Sequence, residues 1–354
     1  MSKATLCPEC GAPRFVVEHN TWLPNGAILE DNKPDHRVVF IESESLRRTF
    51  EGVERIMGIS IEPIIVESQR RSTYESVIKS LPGPLRAVLK FTGTKSMIRD
   101  QMNIGKLNGK GDLRLVSYRR RRGKDDYIKL RVIEPFSLPH FLGNFAGAFE
   151  AIDGREMSVT YKEIAPGDYE VTGRISPHDV RFAERLKRKP PSYKAGDIEL
   201  PRCGTCGGPA ILSDYVWELD RGVIINRNSG RRMIIVSTAT QEAIIDELID
   251  ELGDDIGDAI VEAQRSLVVE GFFSVEEVKG VGDFRTEFAW RGLGNIVEFD
   301  FDANGLQMRL ENPCMSQMVA GLAQGLYELS SGRQGELGWG ITEDGDLAIN
   351  VQPK

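Results

Sequence analysis

Four of the five cysteines form two pairs of identical spacing, Cys7 and Cys10 in CPECGAP and Cys203 and Cys206 in CGTCGGP. A Cys-x-x-Cys followed by glycine is a tight turn that aims backbone amides at the sulfurs and presents two thiolates on one side. Zinc takes four such ligands in a tetrahedron, and neither pair has a second Cys pair or a usable His pair nearby. The spacing therefore predicts one shared structural zinc at Cys7, Cys10, Cys203 and Cys206, like a zinc ribbon with a whole domain inserted between its two knuckles. Four protein ligands leave no open coordination position, so the expected contribution is stability and not catalysis. Relic or redox-sensitive thiol pairs are an alternative reading, and iron could replace zinc, although the usual iron-sulfur spacings differ. Covalent haem is not expected, because neither pair is followed by His.

Other reactive residues form no constellation. Cys314 precedes a helical pattern, where a thiol of lowered pKa could sit, but a small buried cysteine is the plainer expectation. His19, His36, His140 and His178 occur singly. Arg119, Arg120, Arg121, Arg122 and Lys124 make a basic hairpin tip, and Lys187 to Lys189 a second cluster. These could grip an anionic partner or be solvated turns, and the absence of interleaved aromatics argues against a nucleic-acid groove. Glu150 and Glu328 recur in apolar helices, where orienting the next loop explains them as well as catalysis does. No phosphate-binding loop, nucleophile elbow or HExxH helix is present.

The cysteine turns open two copies of one pattern. Trp22, Gly26 and Ile28 fall opposite Trp217, Gly222 and Ile224, RVVFIES opposite RMIIVST, and ESQR at Glu67–Arg70 opposite EAQR at Glu262–Arg265. Pro135–Gly154 then aligns without a gap on Pro313–Gly332, and Gly167-Asp168 on Gly345-Asp346. Islands in one order at nearly constant offset indicate tandem duplication. Each copy reads as knuckle, strands, helices, hairpin, glycine-spaced helix and last hairpin. RVVFIE is a continuous apolar strand, while LRRTFEGVERIM puts Leu46, Phe50, Val53 and Ile56/Met57 on one helical face. LRLVSY and YIKLRVIE flank the basic turn, and NIVEFDFD and LQMRLEN flank Ala303-Asn304-Gly305. Small residues four apart after Leu138 and Met315 invite close approach of another backbone. The expected fold is α/β (α+β), with antiparallel sheets and helices in pseudo-twofold copies. The expected domains are 1–178 and 202–354, joined by an exposed basic linker at 179–201.

The length of 354 residues suits two cores, with 40% apolar and 28% charged residues. No stretch approaches the length of a membrane span, and MSKATLCPEC has no signal-peptide pattern, so a cytoplasmic protein is expected. The net charge of −8 hides an asymmetry, +6 over residues 1–200 against −14 over 201–354. Different outer partners, or attraction between the halves, would account for it.

The stretch LPHFLGNFAGAFEAIDGREMSVTYKEIAPGDYEVTGRI, with its spaced glycines, Phe149-Glu150, Gly154, Glu163 and Gly167-Asp168, resembles the end of the 4-vinyl reductase domain family, relatives of the TRAPP tethering subunits. The resemblance implies an α/β domain that dimerises and encloses an apolar pocket, used to sense or hold small aromatic or tetrapyrrole-like molecules or to scaffold protein assemblies. The cysteines that flank the Gly-Asp turn in many members are replaced here by Ala165 and Val171-Thr172, and no active-site residue carries over. The expectation is a zinc-stapled, non-enzymatic binding protein that holds a small apolar ligand or scaffolds a protein assembly, an intramolecular pseudo-dimer and a possible monomer, with nucleic acid an unlikely partner. An enzyme or enzyme accessory in aromatic or tetrapyrrole metabolism, and a nucleic-acid-binding zinc-ribbon protein, are the alternatives.

Overall fold

The computed structural model of the chain describes residues 5–81, 83–92, 95–177, 192–273, 281–302 and 304–354. His178, Ala303, the basic cluster Lys187 to Lys189 and the expected linker up to residue 191 lie outside them.

After the first cysteine turn, a short helix α1 (Arg14–His19) leads into an antiparallel meander, β1 (Asn20–Trp22), β2 (Ile28–Glu30) and β3 (Arg37–Glu42). Helices α2 (Ser43–Met57), α3 (Glu62–Ser80), α4 (Gly83–Thr92) and α5 (Lys95–Leu107) follow. The hairpin β4 (Asp112–Arg119) and β5 (Tyr127–Ile133) then precedes α6 (Leu138–Asp153) and the hairpin β6 (Met157–Ala165) and β7 (Asp168–Ile175). Beyond the second cysteine turn come β8 (Tyr215–Glu218), β9 (Val223–Asn226), β10 (Arg232–Ser237), α7 (Thr238–Leu252), α8 (Asp255–Val269) and α9 (Val281–Trp290). The chain closes with β11 (Asn295–Asp302), β12 (Gly305–Glu311), α10 (Ser316–Ser331), β13 (Gly335–Ile341) and β14 (Leu347–Pro353). The class is α/β with antiparallel sheets, as the strand and helix periods predicted. RVVFIE is buried at every position. The apolar face of α2 holds for Leu46, Phe50 and Val53, but Ile56 is exposed, two residues before the helix ends at Gly58, whose φ is +68°.

Two compact units emerge, and each draws on both halves of the sequence. The first comprises the described residues of 1–60, 189–215 and 235–354, and the second those of 61–188 and 216–234. The units therefore cut across the two cysteine-led halves of the sequence: β1–β3 lie with the sheet β11-β12-β14-β13, and β9 with the sheet β4-β5-β7-β6.

In the first unit, sheet β11-β12-β14-β13 carries α10, which packs on α8. A Cβ on Gly321 would come 2.3 Å from the Val261 carbonyl oxygen, so only a bare backbone permits this approach. The Trp22 indole donates to the Trp290 carbonyl at 2.8 Å. The Arg37 guanidinium donates to the carbonyls of Gly292 at 2.7 Å and Asn312 at 2.8 Å. Phe40, Tyr215 and Trp290 meet with ring centroids 5.1 to 5.2 Å apart, each pair adding about 1 kcal/mol beyond simple burial.

In the second unit, sheet β4-β5-β7-β6 carries α6, which packs on α3, and a Cβ on Gly147 would stand 2.1 Å from the Arg70 oxygen. The Trp217 indole donates to the Leu107 carbonyl at 3.1 Å. Arg232 donates to the carbonyls of Gly109 at 2.7 Å and Glu134 at 2.8 Å. Trp22 and Trp217, Arg37 and Arg232, and Asn312 and Glu134 (each with φ of +50°) are pairs the repeat aligns, so both units use one set of contacts.

Residues 192–201 run along the rest of the first unit. The Tyr193 hydroxyl donates to the Pro34 carbonyl at 2.8 Å, the Lys194 ammonium meets Asp346 at 2.6 Å, and the Ile198 amide bonds the Pro24 carbonyl at 2.9 Å. Buried Ile198 and these polar partners hold the strap in place there.

Candidate metal centre

Each cysteine turn is built the same way. Leu6 pairs with Pro13 and Arg202 with Pro209 in one antiparallel bridge each. Inside the bridge the Cys7 amide donates to Ala12 and the Gly11 amide to Cys7, as Cys203 does to Gly208 and Gly207 to Cys203, all at 2.8 to 2.9 Å. Gly11 and Gly207 close the turns at φ of +74° and +73°, a region costly for any other residue.

The two turns face one another within the first unit. Cys7 Sγ lies 3.7 Å from Cys203 Sγ and Cys10 Sγ 3.6 Å from Cys206 Sγ, and all four sulfurs fall within 4.8 Å of one another. A tetrahedron with Zn–S of about 2.3 Å has edges of about 3.8 Å. Cys7, Cys10 and Cys203 are buried, Cys206 partly so, and all are free thiols.

The electrostatics suit a cation. The Cys10 amide aimed at the Cys7 sulfur, and the Glu9 amide after it, hold the Cys7 thiol down at about 7. Burial pushes the Cys10 and Cys206 thiols up. Four sulfurs at this spacing cannot share several negative charges unaided, whereas a divalent ion favours the thiolate at each. The donor set thus fits zinc or iron as a closed site.

One feature of the centre went unpredicted. The Glu9 carboxylate accepts hydrogen bonds from the Thr205 hydroxyl at 2.6 Å and the Gly204 amide at 3.1 Å. Those bonds, the Thr205 one foremost, hold its pKa below the usual carboxylate range. Glu9 and Thr205 occupy the same position in the two Cys-x-x-Cys turns, and that shared position was the available signal.

The basic tip divides. Arg120 turns inward, its guanidinium 2.8 Å from the carboxylate of fully buried Asp153 and within reach of the Leu89 carbonyl. Arg119, Arg121, Arg122 and Lys124 are exposed. The repeated glutamates orient the chain: Glu150 pairs with Arg70 and accepts the Met157 amide at 2.7 Å, while Glu328 pairs with Arg265 and accepts the Gly335 amide at 3.0 Å. Cys314 is buried, hydrogen-bonded to the Gly292 and Leu293 carbonyls, and burial pushes its thiol up to about 11. His19 stacks on Phe15, and buried His140 bonds the Ser137 hydroxyl at 2.7 Å.

Each unit also holds a small apolar cavity against its glycine-spaced helix, about 120 Å³ beside Phe141, Asn144 and Ala148, and about 100 Å³ beside Val319, Leu322 and Leu326. The repeat aligns these two residue triplets. Among the described residues, no helix is long and apolar enough to cross a membrane. No protein-family model matches the sequence, and no curated protein shows significant similarity to it.

Proposed function

We propose that the protein is a non-enzymatic, zinc-stapled binding scaffold built from two duplicated, segment-exchanged α/β units. The observation that carries this reading is the convergence of Cys7, Cys10, Cys203 and Cys206, from turns 196 residues apart, on a space the size of one tetrahedral ion. A cross-link between such distant points removes much freedom from the unfolded chain, so bound metal would act on stability. The duplication is supported by the matched contacts of Trp22 and Trp217 and of Arg37 and Arg232.

The cavities weigh toward a scaffold and away from a ligand holder. They lie against the glycine-spaced helices α6 and α10, and the resemblance to the 4-vinyl reductase domain family implies an apolar pocket. At about 100 and 120 Å³, however, they fall well under the ~300 Å³ at which small-molecule sites begin.

Metal analysis of the purified protein tests the proposal. About one zinc per chain is expected, lost in Cys203→Ser; metal-free protein with four reactive knuckle thiols would exclude the site. Titration with an apolar fluorophore should show no saturable one-to-one binding, and such binding would favour the ligand-holding reading.

A further inference from the structure

The two four-stranded sheets share strand order, and they turn oppositely charged faces to solvent. On β4-β5-β7-β6, register places Arg114 beside Arg131, Glu170 and Lys162 in one row. The next row holds Ser117, Lys129, Thr172 and Thr160, and the last Arg119, Tyr127, Arg174 and Ser158. The side chains alternating with these, among them Leu113, Leu130 and Val171, belong to the core. Six cations and one carboxylate therefore stand in these three rows, and in the row beyond them Asp112 and Asp168 pair with Arg114 and Arg131, leaving the outer face with a net positive charge. On β11-β12-β14-β13 the corresponding rows read Glu298, Arg309, Ala348, Gly340, then Asp300, Gln307, Asn350, Gly338, with Asp302 and Glu336 at the end.

One ion pair is common to both faces and fixes the correspondence: Arg131 with Asp168, and Arg309 with Asp346 at 3.0 Å. Around it the charges reverse, with Glu298 where the other sheet has Arg114, and Asp302 where it has Arg119. Relief reverses too. Gly338 and Gly340 floor an open depression of about 770 Å³ on the acidic sheet, at the positions where Thr160 and Lys162 project from the basic one.

We infer that copies of this chain associate head to tail, the basic outer face of β4-β5-β7-β6 of one molecule seating on the acidic, hollowed outer face of β11-β12-β14-β13 of the next. Each molecule carries both surfaces in equal number, and they match in sign, strand order and relief. A heterologous contact of this kind builds rings or open chains and not a twofold dimer. A nucleic-acid backbone is the less suited occupant. The aromatic residue in these rows, Tyr127, is covered by the Arg174 guanidinium 5.7 Å from its centroid, leaving no stacking platform. The inference uses none of the cysteines, so metal content and association can succeed or fail separately.

Sedimentation velocity on the full chain tests it. At low salt the weight-average mass should at least double with rising concentration, and it should return to that of the monomer when ionic strength brings the Debye length to a few ångströms. Arg114→Glu with Arg119→Glu, and separately Glu298→Lys with Asp300→Lys, should each be monomeric at low salt. An equimolar mixture of the two variants should associate, because each then offers the sign the other needs. A wild-type chain that stays monomeric at every salt concentration overturns the inference, even if it binds a labelled oligouridylate. So does association of either variant alone at wild-type strength.

Discussion

The Trp22 indole ends on the main-chain oxygen of Trp290, 268 residues further along the chain. Trp217 makes the equivalent bond to Leu107, in the opposite direction along the sequence. The opening strands of each half thus have partners in the closing part of the other, and this exchange governs how the molecule should respond to dissection.

Residues 1–178 and 192–354 produced as separate chains should not fold alone, since each lacks the segment its own strands pack against. Co-expressed, they should co-purify one to one with native circular dichroism. A stable monomeric 1–178 fragment with a cooperative thermal transition would count against the exchange.

Arg120→Ala should cost about 3 kcal/mol, because it strips a partner from buried Asp153. Arg121→Ala, one residue on but exposed, should stay within about 0.5 kcal/mol. Burial raises the Asp153 carboxyl, but hydrogen bonds from Arg155 and Arg120 outweigh it and leave the pKa lowered. Its stabilising contribution is therefore present above the unfolded-state value and lost as pH falls through the folded one. Urea titrations of wild type and Arg120→Ala should converge at acid pH.

Cys314 acts on the alkaline side. Its thiol is pushed up to about 11 from a usual 9, so above pH 9 the unfolded chain ionises first and stability falls. The loss is about 1.4 kcal/mol per pH unit until the folded form also titrates. Cys314→Ala should flatten the stability curve between pH 9 and 11, read by denaturant midpoints.

Gly147→Ala should destabilise by roughly 2–4 kcal/mol, since the new Cβ meets the Arg70 carbonyl oxygen at 2.1 Å. Gly257→Ala, in α8 with nothing near its Cβ, should be neutral or stabilise by up to about 1 kcal/mol. Thermal midpoints of the two variants, moving in opposite directions, would separate packing from helix propensity.

The cysteine cluster was legible in the sequence because four thiols at matched spacing have few other uses together, and the strands and helices because their apolar periods differ. The exchange between halves was not. Trp22 and Trp217 are the same residue in the same motif, and a local pattern says what surface an element needs without saying which copy provides it. Nor could composition separate Arg120 from its three arginine neighbours: its fate depends on Asp153, 33 positions away on another element. The Glu9 clasp was hidden in the variable positions of the motif.

Synthesis imposes an order on this architecture. At ~5–20 residues per second, Trp22 leaves the ribosome roughly a quarter to a whole minute before Trp290 exists to receive it. The opening strands must therefore be kept from wrong partners while the rest of the polypeptide is made. Stalled nascent chains should accordingly remain protease-sensitive over their first 60 residues until the closing sheet has emerged.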